Sequence, residues 1–393
     1  MNDKTALRSV SEAAPGTRFV LVDALRGIAA VSVLFHHLLF HSELQQTLWH
    51  VLPTWFAEYC HQGALGVEIF FVLSGFVITH SLRNVTLTPR TVGNFILRRQ
   101  LRLDPPYWAL LTLTILGLYA ESHVAWIRQK YIPTRADIVT NFLYLHDLTS
   151  NHAIMRVAWT LCLEVQFYLV FIVLLLAAKL LSPAESEAGN LSAILVGGSG
   201  VVSMLIPAHF CDAWFIQWWY YFAAGALCYW AANNERFRVA FIGFLLFLPA
   251  IAIGGAIYGF QDARPILTGW ATAVLLYTAG RMGKLTRWLD FAPLQYLGRI
   301  SYSLYLSHVL VGIYIMRLGF RLTATNGPAA VGWFIFAAGA AIGGAHLVYL
   351  AVEQPSIRFA ARFKLTEGKD PAALGAALLG EIPCGIPTEL PNT

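Results

Sequence analysis

Long apolar stretches recur along the chain, separated by short segments that hold most of its charge. Stretches of helix-spanning length fall near residues 18–40, 63–82, 104–120, 159–181, 191–207, 213–231, 239–258, 265–281, 300–318 and 329–352. Hydrocarbon offers the peptide backbone no hydrogen-bond partner, so such stretches must close their bonds within a helix or around a barrel. They are continuous rather than alternating, which selects helices. The pattern predicts an all-α, polytopic transmembrane helix bundle of about ten spans. Pro105 and Pro106 fit the opening turn of the third span, where a missing N–H costs little. Residues 181–190, with Ser, Pro, Gly and Asn, read as a turn between spans four and five. The membrane domain is expected over 18–358, between a polar segment 1–17 and a tail 359–393 whose Gly, Pro and weak periodicity predict poor order.

Composition sharpens this reading. Only 12% of the 393 residues are charged and 57% are hydrophobic, whereas soluble domains carry roughly 25% charge. A net charge of +5 raises nucleic acid as a partner, but the basic residues flank apolar spans instead of forming a soluble patch. The expected partner is therefore the lipid bilayer, with no nucleic acid. An even number of spans puts both termini on one side. If that side is the cytoplasm, the inner segments hold 18 of the 27 basic residues and the outer ones six. The positive-inside rule then places both termini in the cytoplasm. No small-residue cleavage site follows the first apolar stretch, so it reads as a retained span rather than a signal peptide. Cys60, Cys162, Cys211, Cys228 and Cys384 show no metal or redox spacing.

Ionisable side chains inside spans cost about 2.5–3.5 kcal/mol on insertion scales and so call for a reason. The first span holds Arg26 and His37, about 16 Å apart along a helix and on nearly one face. Depth counted from the span ends puts Glu68 and Glu164 near the level of His37. An outer-leaflet layer of His37, Glu68 and Glu164 is expected, in which a carboxylate orients the imidazole as a general base. On the inner side, Arg98, Arg99 and Arg102 suit either membrane anchoring or a phosphate-bearing ligand, whose oxygens match guanidinium forks. His308 and His346 lie within the last two spans, where hydrogen bonding to a neighbouring helix is the expected role. His41, His50, His61, His123, His146, His152 and His209 are scattered over outer loops and read as solvated residues, with no metal site.

Six segments together resemble the acyltransferase-3 family of integral-membrane acyltransferases. They are LVDALRGIAA from Leu21 with His37 eleven residues after Arg26, GVEIFFVLSG from Gly66, RRQLRLDPPYW from Arg98, WTLCLEVQFY from Trp159, GRISYSLYLSH from Gly298, and Glu353-Gln-Pro355. They stand in family order over about residues 18–358. The resemblance implies ten spans, a cytoplasmic acyl-CoA donor (acetyl-CoA above all), His37 as catalytic base and Glu164 as the motif carboxylate. It also implies that Arg26, Arg98, Arg99 and Arg102 bind the donor. Thr160 replaces the usual serine, Val165 stands where many members have a second glutamate, and Ser307 where tryptophan is common. Many relatives carry a fused soluble esterase-like domain, for which 393 residues with ten spans leave no room. The expected activity is O-acylation of a hydroxyl on a cell-surface or lipid-linked glycan, in the inner membrane of a bacterium. The rival expectation is a transporter or flippase whose buried charges line a substrate path.

Overall fold

A computed structural model describes residues 18–365, except 124–130, 150, 183, 207–213, 258–261 and 364. The segment 1–17, the tail beyond 365, Cys211, Cys384 and His209 thus lie outside the described residues. In chain order the helices are α1 Val20–Phe40, α2 Gln45–Val51, α3 Thr54–Gln62, α4 Gly66–Leu82, α5 Pro89–Ser122, α6 Arg135–Phe142, α7 Trp159–Leu181 and α8 Glu185–Leu205. They continue with α9 Trp219–Asn233, α10 Arg238–Ile257, α11 Ala263–Arg281, α12 Ala292–Arg299, α13 Ser301–His308, α14 Tyr314–Thr323, α15 Gly327–Val348 and α16 Gln354–Ala360. Among the described residues there is no strand. The chain is an all-α, multi-pass membrane bundle.

Among the described residues, seven stretches are long and apolar enough to cross a bilayer: Val20–Phe40, Thr54–Leu82, Arg156–Leu181, Glu187–Leu205, Glu235–Gly255, Ser301–Thr323 and Gly327–Ala360. The other three expected spans are helical too, but depart from that standard. Helix α9 has 15 residues. Helix α11 begins beside Arg264 and ends at Arg281. Helix α5 runs for 34 residues, about 51 Å, and its first half carries Arg90, Arg98, Arg99 and Arg102. It starts at Pro89, where Thr88 and Thr91 form a reciprocal cap, and passes through Pro105 and Pro106 without stopping. Those prolines are therefore interior, not opening, residues. Packing is tight beside them: the Tyr302 hydroxyl donates to the Leu103 carbonyl at 2.7 Å. Outward faces are apolar, as lipid demands. Val239, Leu246 and Ile253, seven residues apart on α10, are all exposed.

Backbone-to-backbone contacts at glycine fix the helix registers. A Cβ on Gly75 of α4 would lie 2.0 Å from the Phe222 carbonyl oxygen of α9, and one on Gly225 would lie 2.0 Å from that of Val72. Small residues let spans approach this closely where no hydrophobic force separates helix from lipid. Likewise Gly63 sits against Ser32 and His36, and Gly66 against Ala29 and Val33. Two π-helical turns, Val309–Ile313 and Tyr349–Glu353, interrupt the last two long helices. One follows His308 directly and the other ends on Glu353.

Candidate functional site

Helix α1 is the spine of the site. At its inner half, Arg26 lines two adjoining cavities. The inner one is bordered by Arg18, Asp23, Arg83, Arg102, Arg299 and Glu353. The deeper one is bordered by Ser74, Arg99, Thr160, Glu164, Tyr302 and Tyr305. A smaller recess beside them holds Arg98, Arg99 and Arg102 together. Both larger cavities include Arg26 and Val77 in their walls, so they meet at a waist that these two side chains border between α1 and α4, and the two together make up the cleft.

Each charged wall group has a distinct partner. Glu164 accepts a hydrogen bond from the Ser74 hydroxyl at 3.2 Å and faces Arg99, Arg26 and Arg102. The Arg99 guanidinium stacks over Phe95 and Tyr168, at 5.6 and 5.3 Å, and its Nη2 is buried with no hydrogen-bond partner. Arg98 is buried and donates to the Phe363 carbonyl at 3.3 Å. Glu353 is 1% exposed and accepts from the backbone N–H and hydroxyl of Ser303, at 3.2 and 2.5 Å. Arg26 faces Arg102, Asp23, Glu164 and Glu353, yet no carboxylate among the described residues lies within ion-pair distance of it. Its donors point into the cleft, where an anion can take them.

His37 lies at the outer end of α1. Its Nδ1 meets the Val33 carbonyl at 2.9 Å, and the ring centre is 4.8 Å from that of His308. His308 repeats the arrangement, with Nδ1 3.0 Å from the Leu304 carbonyl and Nε2 buried without a partner. A carbonyl only accepts, so in each neutral ring Nδ1 carries the proton and Nε2 holds the lone pair. Both rings are thus set as proton acceptors at Nε2. His308 connects inward to Tyr305, 6.0 Å away between ring centres. The Tyr305 hydroxyl receives a hydrogen bond from Thr160 at 3.0 Å and lines the deep cavity.

The expected layer of His37, Glu68 and Glu164 does not form. The contacts at Gly66 place Glu68 near the level of Ala29, eight residues and about 12 Å inward of His37. Ser74, six residues further inward along α4, is what Glu164 touches. Glu164 therefore belongs with Arg26 and Arg99, while the neighbours of His37 are His308, His41 and His36. Depth counted from assumed span ends fails because α1 continues past the point where α4 enters. Glu68 is buried beside Tyr220 and Tyr221, with one carboxyl oxygen lacking a partner. His146 is no solvated loop residue; it is completely buried. His346 packs on Tyr296 at 5.7 Å.

The sequence reading missed Glu353, Ser303, Ser74 and Tyr305 as site residues. A signal existed for Glu353, a carboxylate at the end of an apolar run, but the expected tenth span stopped at 352. The serines and tyrosine fall within the quoted segments GVEIFFVLSG and GRISYSLYLSH, but hydroxyl groups are common in spans and nothing in those segments singles them out.

Comparison with known proteins fits this geometry. A family model described as an acyltransferase domain matches residues 19–350. The provisionally named membrane-bound transacylase BcsY of Komagataeibacter xylinus is 26% identical over 322 residues, which cover 75% of this chain and 74% of that protein. The provisionally named peptidoglycan O-acetyltransferase YrhL of Bacillus subtilis is 24% identical over 202 residues, covering 47% of this chain and 28% of that protein. The peptidoglycan O-acetyltransferase OatA of Listeria monocytogenes is 26% identical over 167 residues, covering 38% and 23%. The chain thus spans about a quarter of the length of these two. No solved structure matches it.

Proposed function

Since the chain belongs to the acyltransferase family whose model spans residues 19–350, and is an acyltransferase, we propose that it moves an acetyl group from cytoplasmic acetyl-CoA to a glycan hydroxyl. The observation that carries this reading is the two adjoining cavities that share Arg26, basic at the inner end, with the His37–His308 pair beyond Tyr305 at the deep one. It sits in the cytoplasmic membrane of a bacterium with both termini inside. The donor phosphates dock against Arg98, Arg99 and Arg102, and Arg26 guides the pantetheine arm past the waist. The arm extends outward along α1, over the roughly 16 Å that eleven residues span, to bring the thioester to His37.

The acceptor is a hydroxyl of a cell-surface or lipid-linked glycan, entering from the outer side. His37 Nε2 takes its proton as the oxygen attacks the thioester carbonyl. The C–S bond then breaks, and the proton passes to the leaving thiolate, which departs as CoA. Glu164 acts at the other end, its charge facing Arg26 and Arg99 across the deep cavity instead of orienting His37. Glu68 lies beside Tyr220 and Tyr221 and makes no contact with the base.

The test uses purified full-length chain in lipid nanodiscs, with acetyl-CoA and a glycan acceptor, and follows CoA release. General base catalysis contributes about 10²–10⁴-fold, so His37→Ala loses at least that much turnover while donor binding persists. Full turnover in a well-folded His37→Ala protein refutes the base. No CoA release by the wild-type protein with any acceptor, accompanied by glycan movement across the membrane, makes it a transporter instead.

A further inference from the structure

The inner cavity carries more positive charge than its own carboxylates balance. Arg18, Arg26, Arg83, Arg102 and Arg299 border it, against Asp23 and Glu353. Arg18 is engaged by Asp23 and Gln295, at 2.6 and 2.9 Å. Glu353 is held by Ser303 and faces Arg102 and Arg26. Arg83 and Arg299 are left over. Among the described residues neither guanidinium comes within ion-pair distance of a carboxylate, and the Nε of each is buried without a hydrogen bond. The recess beside the cavity adds Arg98 and Arg99 and shares Arg102.

The fold fixes where both side chains start. Arg83 caps the inner end of α4, and its Nη1 donates to Nε2 of His80 and to the His80 carbonyl, each at 2.9 Å. His80 is itself buried, with Nδ1 3.2 Å from the Tyr229 hydroxyl. That buttress leaves Nη2 and Nε as the open donors of the fork. Arg299 ends α12, which lies against α1 backbone to backbone. A Cβ on Gly298 would sit 2.0 Å from the Asp23 carbonyl oxygen, and one on Gly27 would sit 2.8 Å from the Gly298 nitrogen. Two helices packed on α1 thus each present one arginine to the cavity, and Asp23 and Arg26 of α1 form part of the same wall.

A phosphate monoester suits these two groups. It carries a charge of about −1.5 to −2 near pH 7 and three acceptor oxygens, which guanidinium forks match. The nucleotide of an acyl-CoA bears two anionic groups of different kinds. The 5′-pyrophosphate continues into the pantetheine arm, so it must lie beside the arm's route. The 3′-phosphate on the ribose continues into nothing and is free to lie toward the inner mouth. The arginines divide in the same way. Arg99 lines both the recess and the deep cavity, so the recess adjoins the route of the arm. Arg83 and Arg299 border the inner cavity and not the deep one.

We propose that Arg83 and Arg299 bind the 3′-phosphate of the donor, leaving its pyrophosphate to Arg98, Arg99 and Arg102. The inference rests on the reading of the donor as an acyl-CoA, and adds the group by which the chain selects CoA over its 3′-dephospho form. The selection is made in binding, before any acyl transfer.

The experiment measures binding of CoA and of 3′-dephospho-CoA to the purified full-length chain in lipid nanodiscs by calorimetry, with no acceptor present. A hydrogen bond to a charged group corresponds to about 10- to 150-fold in affinity. The wild type should therefore bind CoA at least about tenfold tighter than dephospho-CoA. Arg83→Gln and Arg299→Gln should each bring CoA toward the dephospho-CoA affinity and leave dephospho-CoA binding unchanged. Arg98→Gln should weaken both ligands alike, because the pyrophosphate is common to them. Equal affinity of the wild type for the two ligands overturns the assignment and leaves the donor reading standing. Equal weakening of both ligands in Arg83→Gln and Arg299→Gln overturns it as well. A wild type that binds neither ligand overturns the donor reading and this assignment with it. Should the glutamine variants fail to fold, Arg83→Lys and Arg299→Lys keep the charge and lose the fork; narrowed discrimination is expected, and unchanged discrimination in both counts against the pair.

Discussion

Replacing Glu164 with glutamine keeps the shape of the side chain and removes the charge that Arg99 and Arg26 face in the deep cavity. Two consequences can be sized. For stability, glutamine keeps a neutral hydrogen bond with Ser74 and loses its charge-assisted part, about 0.5–1.5 kcal/mol. Glu164 lines a cavity that admits water, which favours the lower half of that range. For the reaction, the question is how strongly the charge reaches His37. Ser74, which Glu164 touches, lies about 21 Å inward of His37; at that separation one unit charge contributes about 0.8 kcal/mol at an effective dielectric of 20, and about 0.2 kcal/mol in water. The first figure corresponds to about 0.6 pH unit. In contact at 4 Å the same charge would supply about 4 kcal/mol, or about three pH units. A carboxylate holds an imidazole protonated, so its loss moves the acid limb of the rate profile toward lower pH. The assay is kcat/KM for CoA release as a function of pH, beside a thermal melt of the same preparation. Glu164→Gln should lower the melting temperature and move the acid limb by less than about one unit. A limb displaced by two units or more would put the carboxylate against the base and refute the separation drawn here.

Ser303→Ala removes the hydroxyl that Glu353 accepts at 2.5 Å; a loss of about 1.5–3 kcal/mol is expected, and an unchanged melt would refute it. Gly75→Ala places a methyl 2.0 Å from the Phe222 carbonyl; α4 and α9 must part, at about 1–3 kcal/mol or more. Gly93→Ala on α5, with nothing within 4 Å of its added carbon, serves as the control and should be neutral or stabilising by about 0.5–1 kcal/mol. Equal melts for the two glycine variants would show that the α4–α9 contact does not limit stability. Outside the spans, Asp137 accepts from the backbone N–H and hydroxyl of Thr134 and the N–H of His152. These bonds hold its pKa at about 2, below the ordinary 3.8. A depressed carboxylate stabilises above its unfolded value and loses that contribution as pH falls through the folded one. Hydrogen-exchange protection of 135–142 should therefore weaken between pH 3.8 and about 2, and Asp137→Asn should abolish that dependence.

The bundle was legible because apolar length and the absence of charge act locally, residue by residue, along each span. Arg26 and His37 were legible for the same reason: they share one helix, and helix geometry alone fixes their separation. The relation between helices was not. Whether Glu164 reaches His37 depends on how α4 slides along α1, and that is set by contacts at Gly63 and Gly66 that hydropathy does not encode. The interior position of Pro105 and Pro106 escaped notice because proline usually marks a helix start, whereas the helix starts sixteen residues before Pro105, at Pro89, behind the cap of Thr88 and Thr91. His146 looked like one of several outer-loop histidines, and only the turn at Tyr144 takes it inside. Each failure concerns a tertiary distance; none concerns the nature of an element.

The histidine pair changes what kind of base His37 can be. In the familiar arrangement a carboxylate accepts from Nδ1 and stabilises the imidazolium that forms. Here Nδ1 of His37 is committed to the Val33 carbonyl, and among the described residues no carboxylate pairs with the ring. A carbonyl fixes the tautomer as well as a carboxylate does, but it offers only a dipole to the developing positive charge. The nearest group with spare electron density is His308, whose Nε2 is buried and unpartnered and whose own Nδ1 is also tied to a carbonyl. In the proposed reaction the proton taken by His37 therefore has one lone pair close by to share and no anion to settle on. Such a base gives its proton up readily, which suits a step whose leaving thiolate must be protonated within the same turnover. The carboxylates of the cleft lie at the other end of α1, where Glu164 and Glu353 face Arg26 and Glu353 faces Arg102.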